Sequence, residues 1–265
     1  MSMAGSSGAG TRKGPIRPDT VVDAALALVN LGGLESLTMR RLSDALGTQP
    51  PALYRLFQDK DALVDAMADA VLASVFGPLP EANWETRVSV LAGRLRAAML
   101  DQRDGARIVG GAYTTRQPTL TVADSLLAAV KEAGFTGEAA VWAITTVFSY
   151  VLGEALEQQG RTEVDVEGVQ ATLSAEDYPH LARSPLPALL DFDARFVFGL
   201  RMLTAGLREG AQTFHSGETV PGAASSGTTD SPTDGTPAPT SRTSPSPSPS
   251  PSLSSRKAAP AEPGP

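Results

Sequence analysis

The sequence predicts an all-α protein, and three observations lead to this fold class. Apolar residues repeat at helical spacing almost throughout residues 19–210, as Val22, Ala25 and Val29 do. No run alternates polar and apolar residues for long enough to indicate a strand. From about residue 211 the chain turns to Ser, Thr, Gly, Ala and Pro, and eleven of its 21 prolines lie in the last 55 residues. A chain of 265 residues is long enough to bury a sizeable core in one or two domains.

The two ends of the chain are expected to be disordered. Residues 1–14 are rich in Gly, Ser and Ala, and residues 211–265 lack the apolar residues that a core needs. Ser and Pro alternate strictly over residues 244–251, and proline supplies no backbone donor. We therefore predict an extended Ser/Pro-rich tail, with a phosphorylated or partner-binding proline stretch as the alternative interpretation.

The later helices are predicted at residues 86–100, 120–133, 138–158 and 188–209, the last after a break at Pro185 and Pro187. The last two are apolar on more than one face, and a helix that is apolar all round must be covered on every side. They either lie at the centre of the monomer or meet the same helices of a second subunit. Because two-fold pairing buries one patch twice, we expect a homodimer joined by a four-helix bundle.

Composition excludes most enzyme chemistry. The chain has no cysteine and only two histidines, His180 and His215, which leaves little for a thiolate site, a histidine metal site or a Ser-His-Asp triad. The sequence shows no nucleophile–base pair, metal cluster or phosphate-binding loop, so we expect no catalytic activity and no cofactor. Its apolar runs are far shorter than a membrane span and no signal peptide is present, which predicts a soluble, cytoplasmic protein without a membrane partner.

The charge is unevenly distributed along the chain. The formal net charge of −7 would by itself argue against a nucleic-acid partner. Residues 1–60, however, hold seven Lys/Arg and five Asp/Glu, a net +2, whereas residues 61–210 hold twelve and twenty, a net −8. A small basic N-terminal unit is thus joined to an acidic body.

The N-terminal unit contains a helix-turn-helix pattern. Thr38 is a good N-cap for a first helix, in which Leu42, Ala45 and Leu46 lie on the inward face. Gly47 suits the left-handed position that ends such a helix. The pattern alone fits an ordinary helical hairpin with a solvated basic face as well.

A second short helix follows the glycine. Thr48 is expected to cap it, and Pro50 and Pro51 fall in its first turn, where a missing N–H group costs nothing. Leu53 and Phe57 are four residues apart and anchor its inward side.

The outward residues of this unit are candidates for DNA binding. Asp59 is expected to cap a third helix that begins at Lys60. In a helix-turn-helix unit the second helix lies in the major groove. Arginine can bond to guanine O6 and N7, Ala and Pro can contact a thymine methyl group, and Tyr, Thr and Lys can reach phosphates. The candidate DNA-binding residues are Thr38, Met39, Arg40, Thr48, Gln49, Pro50, Pro51, Ala52, Tyr54, Arg55 and Lys60.

The N-terminal segment resembles the tetracycline-repressor (TetR) family of bacterial regulators. The residues that carry the resemblance are Ala25-Leu26-Ala27-Leu28, Gly33, Leu37-Thr38, Leu42, Leu46-Gly47, Leu53-Tyr54, Phe57, Lys60 and Leu63. A looser resemblance to the body of tetracycline repressors is carried by Trp84, Arg103-Asp104-Gly105-Ala106-Arg107, Gly134-Phe135, Leu152-Gly153 and Leu156-Glu157. The resemblance implies a DNA-binding domain over residues 15–76 and a ligand-binding and dimerisation domain over residues 77–210.

The same resemblance assigns roles to DNA-binding positions. In tetracycline repressors an Arg of the first recognition-motif helix, and Gln, Pro, Tyr and Lys around the second, contact operator DNA. Arg40, Pro51, Tyr54 and Lys60 match these positions. Pro50 stands where that group has Gln, so the same operator sequence is not expected.

The ligand site departs further from the resembled group. Tetracycline repressors bind the drug as a Mg²⁺ chelate, with a His shortly after the Arg-Asp-Gly landmark as a metal ligand. Here that position is Val109, which cannot coordinate a cation, although Glu157 matches an acidic position near the metal. We expect instead a greasy or aromatic ligand, with plain core packing of the same residues as the alternative. The candidate ligand-binding residues are Phe76, Leu91, Leu95, Val109, Ala112, Leu126, Thr145 and Phe148.

These features predict a homodimeric transcriptional repressor. Its two heads would enter successive major grooves of a near-palindromic double-stranded operator, and a small-molecule inducer would release it. An all-helical small-molecule binding protein that does not act on DNA, an activator, and a regulator without a ligand are the alternatives.

Overall fold

The computed structural model describes residues 16–112, 117–161 and 166–215, and within these ranges it contains ten α-helices and no strand. The helices are α1 (Pro18–Gly32), α2 (Met39–Leu46), α3 (Pro50–Tyr54), α4 (Lys60–Leu72), α5 (Trp84–Asp101), α6 (Gly105–Gly110), α7 (Gln117–Glu132), α8 (Gly137–Gly160), α9 (Val166–Thr172) and α10 (Phe192–His215). The prediction of an all-α fold is confirmed. The predicted arm over residues 1–14, and the tail beyond residue 215, lie outside the described residues.

A small core between α1 and α4 holds the two short helices in place. Val21, Leu42, Leu53 and Leu63 are fully buried there, and Phe57 is nearly so. Leu53 and Phe57 therefore anchor the second helix, as predicted. Burial of one stripe on each helix leaves the opposite faces of α2 and α3 in solvent.

Local side-chain chemistry sets the ends of these helices. The Thr38 hydroxyl accepts a hydrogen bond from the backbone N–H of Arg41 (3.2 Å), and the Asp59 carboxylate accepts one from that of Ala62 (2.8 Å). Gly47 ends α2 in the left-handed conformation, with φ 62° and ψ 40°. All three predicted roles are confirmed.

Two details of the predicted pattern are wrong. The N-cap of α3 is Gln49 rather than Thr48, because Pro50 with its fixed φ occupies the first helical position. On α2, Ala45 is exposed and Ser43 is buried in its place. The Ser43 hydroxyl donates to a carbonyl one turn earlier (2.8 Å), which makes burial of this small polar group acceptable.

The body is built from α5 to α8 and α10. Helix α5 packs against α7 and α8, α8 also packs against α10, and α4 reaches from the N-terminal helices to pack on α6 and α7. Residues such as Val88, Leu95, Val130 and Val147 are fully buried between them. The helices predicted at 86–100, 120–133 and 138–158 are present, with ends shifted by up to three residues.

The last helix begins later than predicted. Residues 188–190, which were expected to be helical, belong to a 3₁₀ turn over Leu186–Leu190, and α10 starts at Phe192. Pro185 and Pro187 lie immediately before and inside this turn, where they cannot donate the backbone hydrogen bonds of an α-helix.

The outer faces of α8 and α10 are apolar and exposed. Val141 and Trp142 on α8 expose 52% and 53% of their surface, and Phe198 and Met202 on α10 expose 66% and 54%. Monomeric proteins rarely expose contiguous apolar surface of this extent, which therefore marks a contact surface.

By length and composition alone, α8 could also cross a membrane. This corrects the expectation that every apolar run is far too short. A packed helix of a soluble protein passes the same test, and α8 carries polar side chains that other helices bind. Glu154 and Glu157 both form ion pairs with Arg195 of α10.

Candidate DNA-binding surface and ligand cavity

The turn between α2 and α3 fixes the angle between these helices. The backbone N–H of Gly47 donates to the carbonyl of Asp44 (3.1 Å), and that of Thr48 donates to the carbonyl of Ser43 (2.9 Å). These bonds satisfy the carbonyls at the end of α2 and turn the chain tightly into α3. The first turn of α3 and the exposed side of α2 therefore share one surface.

Most of the predicted DNA-binding residues lie on this surface. The exposed ones are Thr38, Arg40, Gln49, Pro51, Tyr54, Arg55 and Lys60, and the half-buried ones are Thr48, Pro50 and Ala52. Met39 is only 9% exposed and packs in the core, so it is corrected from a side-chain contact to a core residue. We call the ten solvent-accessible residues the head surface.

The cations of the head surface differ from their neighbour in what they contact. Within the described residues, no side chain forms a salt bridge with Arg40, Arg55 or Lys60. By contrast, the Arg41 guanidinium donates to the carbonyl of Ser36 (2.9 Å) and is held against the head's own backbone. The first three cations are thus available to an anionic partner such as a DNA phosphate or a guanine edge.

A polar junction joins the head to the body. The side-chain amides of Asn30 and Gln102 bond to each other, at 2.8 Å for the Gln102 donor, and Asn30 also accepts from the backbone N–H of Arg103 (3.0 Å). The Asp104 carboxylate accepts from the backbone N–H of Leu34 (2.7 Å). Together these bonds cap the end of α1 and the 3₁₀ turn after it.

An ion pair crosses the same junction. The Arg107 guanidinium of α6 donates to the carboxylate of Glu35 and lowers the pKa of that carboxyl group. Both groups are largely in solvent, so this pair adds little to stability, and the buried amides carry most of the attachment.

The loop at the junction has a strained and crowded backbone. Asp104 adopts a left-handed conformation with φ 56°, which is uncommon for a residue other than glycine. The Gln159 amide of α8 donates to the carbonyls of Met99 and Gln102 (2.7 Å each) and accepts from the N–H of Ala106 (3.0 Å). Gln159 thus fixes this loop to α8.

A cavity of about 230 Å³ lies between α4, α5, α7 and α8. Its lining is almost wholly apolar, and consists of Leu72, Leu95, Thr119, Val122, Ala123, Leu126, Ile144, Thr145 and Phe148. The volume is at the small end of the range for pockets that bind small molecules.

The structure brings only part of the predicted ligand set to this cavity. Leu95, Leu126, Thr145 and Phe148 line it. Leu91 and Val109 are instead buried core residues, Ala112 is half-buried away from the lining, and Phe76 is 43% exposed. Leu72, Thr119, Val122, Ala123 and Ile144 were missed, although the helical spacing of 119, 122, 123 and 126 places them on one face of α7.

The residues present do not fit a magnesium chelate. Val109 offers only an apolar side chain, and the described residues contain no group of three acidic or histidine side chains that could hold a metal. Both carboxylate oxygens of Glu157 accept from Arg195, at 2.9 and 2.6 Å. This bidentate pair lowers the pKa of Glu157 and occupies the group that would otherwise face a cation.

Comparisons with known proteins agree with this geometry. Residues 21–67 match the family described as bacterial regulatory proteins, tetR family, and residues 77–210 match the tetracyclin repressor-like C-terminal domain. The tetracycline repressor protein class G of Vibrio anguillarum is 39% identical over 193 residues, which are 71% of this chain and 91% of that protein.

Two solved structures are similar to this chain over nearly their whole length. The TetR family protein ActR of Streptomyces coelicolor, in complex with actinorhodin, is 29% identical with a TM-score of 0.68, over 75% of this chain and 99% of that one. BioQ with its double-stranded DNA operator is 27% identical with a TM-score of 0.56, over 73% and 98%. These relatives are DNA-binding regulators rather than enzymes. The chain therefore belongs to the TetR family of transcriptional regulators, as a helix-turn-helix repressor with a tetracycline-repressor-like C-terminal domain.

Proposed function

We propose that this protein is a cytoplasmic homodimeric repressor that a small molecule releases from a near-palindromic operator. In this proposal the head, over residues 15–76, reads DNA, and residues 77–210 bind the ligand and the second subunit. The observation that carries it is the head surface, where Arg40, Arg55, Lys60 and Tyr54 stand exposed around a rigid helix-turn-helix. Two such heads would occupy half-sites about 34 Å apart, one turn of DNA.

The exposed faces of α8 and α10 support the dimer. The two helices are already fixed to each other, because the Tyr150 hydroxyl donates to the carbonyl of Phe196 (2.9 Å) and Gly199 leaves no room for a side chain beside Tyr150. Burial raises the pKa of that tyrosine. A rigid pair of helices with an apolar outer face is suited to pairing with its own copy in a four-helix bundle.

The position of α4 supports coupling between ligand and DNA. This helix begins at Lys60 on the head surface and ends at Leu72 in the cavity wall. A ligand that favours one position of α4 would therefore favour one separation of the heads. Its effect on DNA affinity cannot exceed the difference in its own affinity for the two states.

The proposal is tested by footprinting the full-length protein on the intergenic DNA beside its own gene. We expect protection of a near-palindromic site and a steep loss of affinity with salt, of about 0.9 log units per log unit of salt for each phosphate contact. The acidic body, with twenty Asp/Glu against twelve Lys/Arg over residues 61–210, repels DNA and leaves binding to the heads. Absence of protection at low salt would instead favour a helical binding protein that does not act on DNA.

The dimer is tested separately by Phe198→Glu. A charge in the centre of the apolar face should convert the dimer to monomers, because it cannot be desolvated there without a partner. Sedimentation at a fixed protein concentration measures the change. Leu31→Glu is the matched control, since Leu31 is an 80% exposed apolar residue on the head, outside this face. A dimeric Phe198→Glu variant would contradict the proposed interface.

A further inference from the structure

The cavity between α4, α5, α7 and α8 contains few polar groups. Of the nine described lining residues, seven are apolar, and only Thr119 and Thr145 carry a polar side chain. The chemistry of a bound molecule must therefore be read from these two hydroxyls and from the charges behind them.

Both hydroxyl protons are engaged within the protein. The Thr145 hydroxyl donates to the carbonyl of Val141 on its own helix (2.8 Å), and the Thr119 hydroxyl donates to the Asp69 carboxylate (3.0 Å). A hydroxyl has one proton to donate and two lone pairs that accept. In this arrangement the lining offers a ligand two acceptors and no donor.

The charges near the cavity are acidic. Asp69, which holds Thr119, is 6% exposed. A surface groove along α7 shares Ala123 and Ile144 with the cavity and carries Asp124 on its rim. No Lys or Arg of the described residues lines either the cavity or the groove. A carboxylate entering here would lose its hydration, meet no donor and be repelled by both aspartates.

We propose that the cavity selects a neutral, mainly apolar molecule that can donate a hydrogen bond to Thr145 or Thr119, and that it rejects carboxylates. This inference deepens the proposed function by naming the ligand class of a ligand-responsive regulator. Shape and apolar burial supply most of the affinity, and the two threonines distinguish a molecule with a hydroxyl group from one without.

Three bicyclic probes of nearly equal size test the proposal on the full-length protein at pH 7 by calorimetry or equilibrium dialysis. They are 2-naphthol, naphthalene and 2-naphthoate, which differ only in a neutral donor, no polar group and a negative charge. We expect 2-naphthol to bind about fivefold more tightly than naphthalene, as one neutral hydrogen bond allows. We expect 2-naphthoate to bind at least about tenfold more weakly than 2-naphthol.

Two variants locate the effect. The double variant Thr119→Val/Thr145→Val should lose the preference for 2-naphthol over naphthalene while still binding naphthalene. Thr146→Val is the matched control, because its hydroxyl makes the same bond one residue along (2.8 Å to the Trp142 carbonyl) but does not line the cavity. Ala123→Phe should abolish binding of both neutral probes by filling the cavity, and it keeps the test valid if the double variant does not fold.

Binding of 2-naphthoate as tight as that of 2-naphthol would overturn the proposal, and so would absence of binding by both neutral probes. Arg116→Met is included because residue 116 is the basic residue of segment 113–116, outside the described residues. Loss of 2-naphthoate binding in that variant would show which group holds the anion. The same preparations are titrated with operator DNA in the absence of any probe. DNA binding that persists leaves the repressor proposal standing while the ligand class fails.

Discussion

Replacing Arg40 by alanine is expected to weaken operator binding by about 30-fold or more while leaving the dimer intact. A bidentate contact of arginine with a base is worth about 1–3 kcal/mol, and a two-fold complex loses it in both half-sites. Tyr54→Ala should weaken binding in the same direction, because this 51% exposed ring stands at the end of α3 on the head surface. Anisotropy titrations against the footprinted site measure both variants.

Arg41→Ala is a matched control for Arg40→Ala. It removes the same charge from the neighbouring position of the same helix, but the Arg41 guanidinium is bonded to the carbonyl of Ser36 rather than free on the head surface. We expect a much smaller loss of affinity for this variant. Equal losses for the two variants would mean that only net charge matters, and the assignment of Arg40 to the DNA would be wrong. If Arg40 contacts phosphate, its removal should also make the salt dependence less steep; if it contacts a base, the slope should stay unchanged.

Gly105→Ala is expected to destabilise the protein by about 2–3 kcal/mol, the cost of forcing extra volume into a packed site. A Cβ at this position would lie 2.2 Å from the carbonyl oxygen of Met99, and backbone cannot move aside as a flexible side chain can. The loop that would have to shift is the one that bonds to Asn30, so the head should also lose its fixed position. Operator affinity should therefore fall as well.

Denaturant unfolding at one protein concentration measures this effect, because the stability of a dimer depends on concentration. Gly93→Ala is the matched control, since a Cβ there meets nothing within 4 Å in the middle of α5. That change should stabilise the helix by about 0.5–1 kcal/mol through helix propensity. Gly105→Ala would contradict the expectation by unfolding at the same denaturant concentration as the wild type.

The parts of the fold that depend on local chemistry could be predicted from the sequence. Thr38, Gly47 and Asp59 occupy the predicted helix ends because a cap needs only its neighbouring backbone groups. The start of α3 was displaced by one residue because two signals competed there. A good capping side chain at Thr48 preceded a proline pair, and the fixed φ of Pro50 decided the helix start.

The cavity could be predicted only in part, because it depends on how distant helices meet. Thr145 and Phe148 were found from the apolar pattern of α8, whereas the contribution of α7 was overlooked. Val109 was placed by its resemblance to a metal-ligand position, but α6 packs it into the core, where it is 5% exposed. Sequence spacing shows which residues share a face of one helix, but it does not show which space between helices remains unfilled.

Helix α8 has separate contacts along its length. Ile144, Thr145 and Phe148 line the cavity, Val141 and Trp142 form part of the exposed face, and Gln159 bonds to the loop beneath the head. Because these sets do not overlap, substitutions at 144, 145 and 148 can change the preferred ligand without altering the other two surfaces. Such a helix allows a regulator to acquire a new chemical signal while it keeps its operator and its partner.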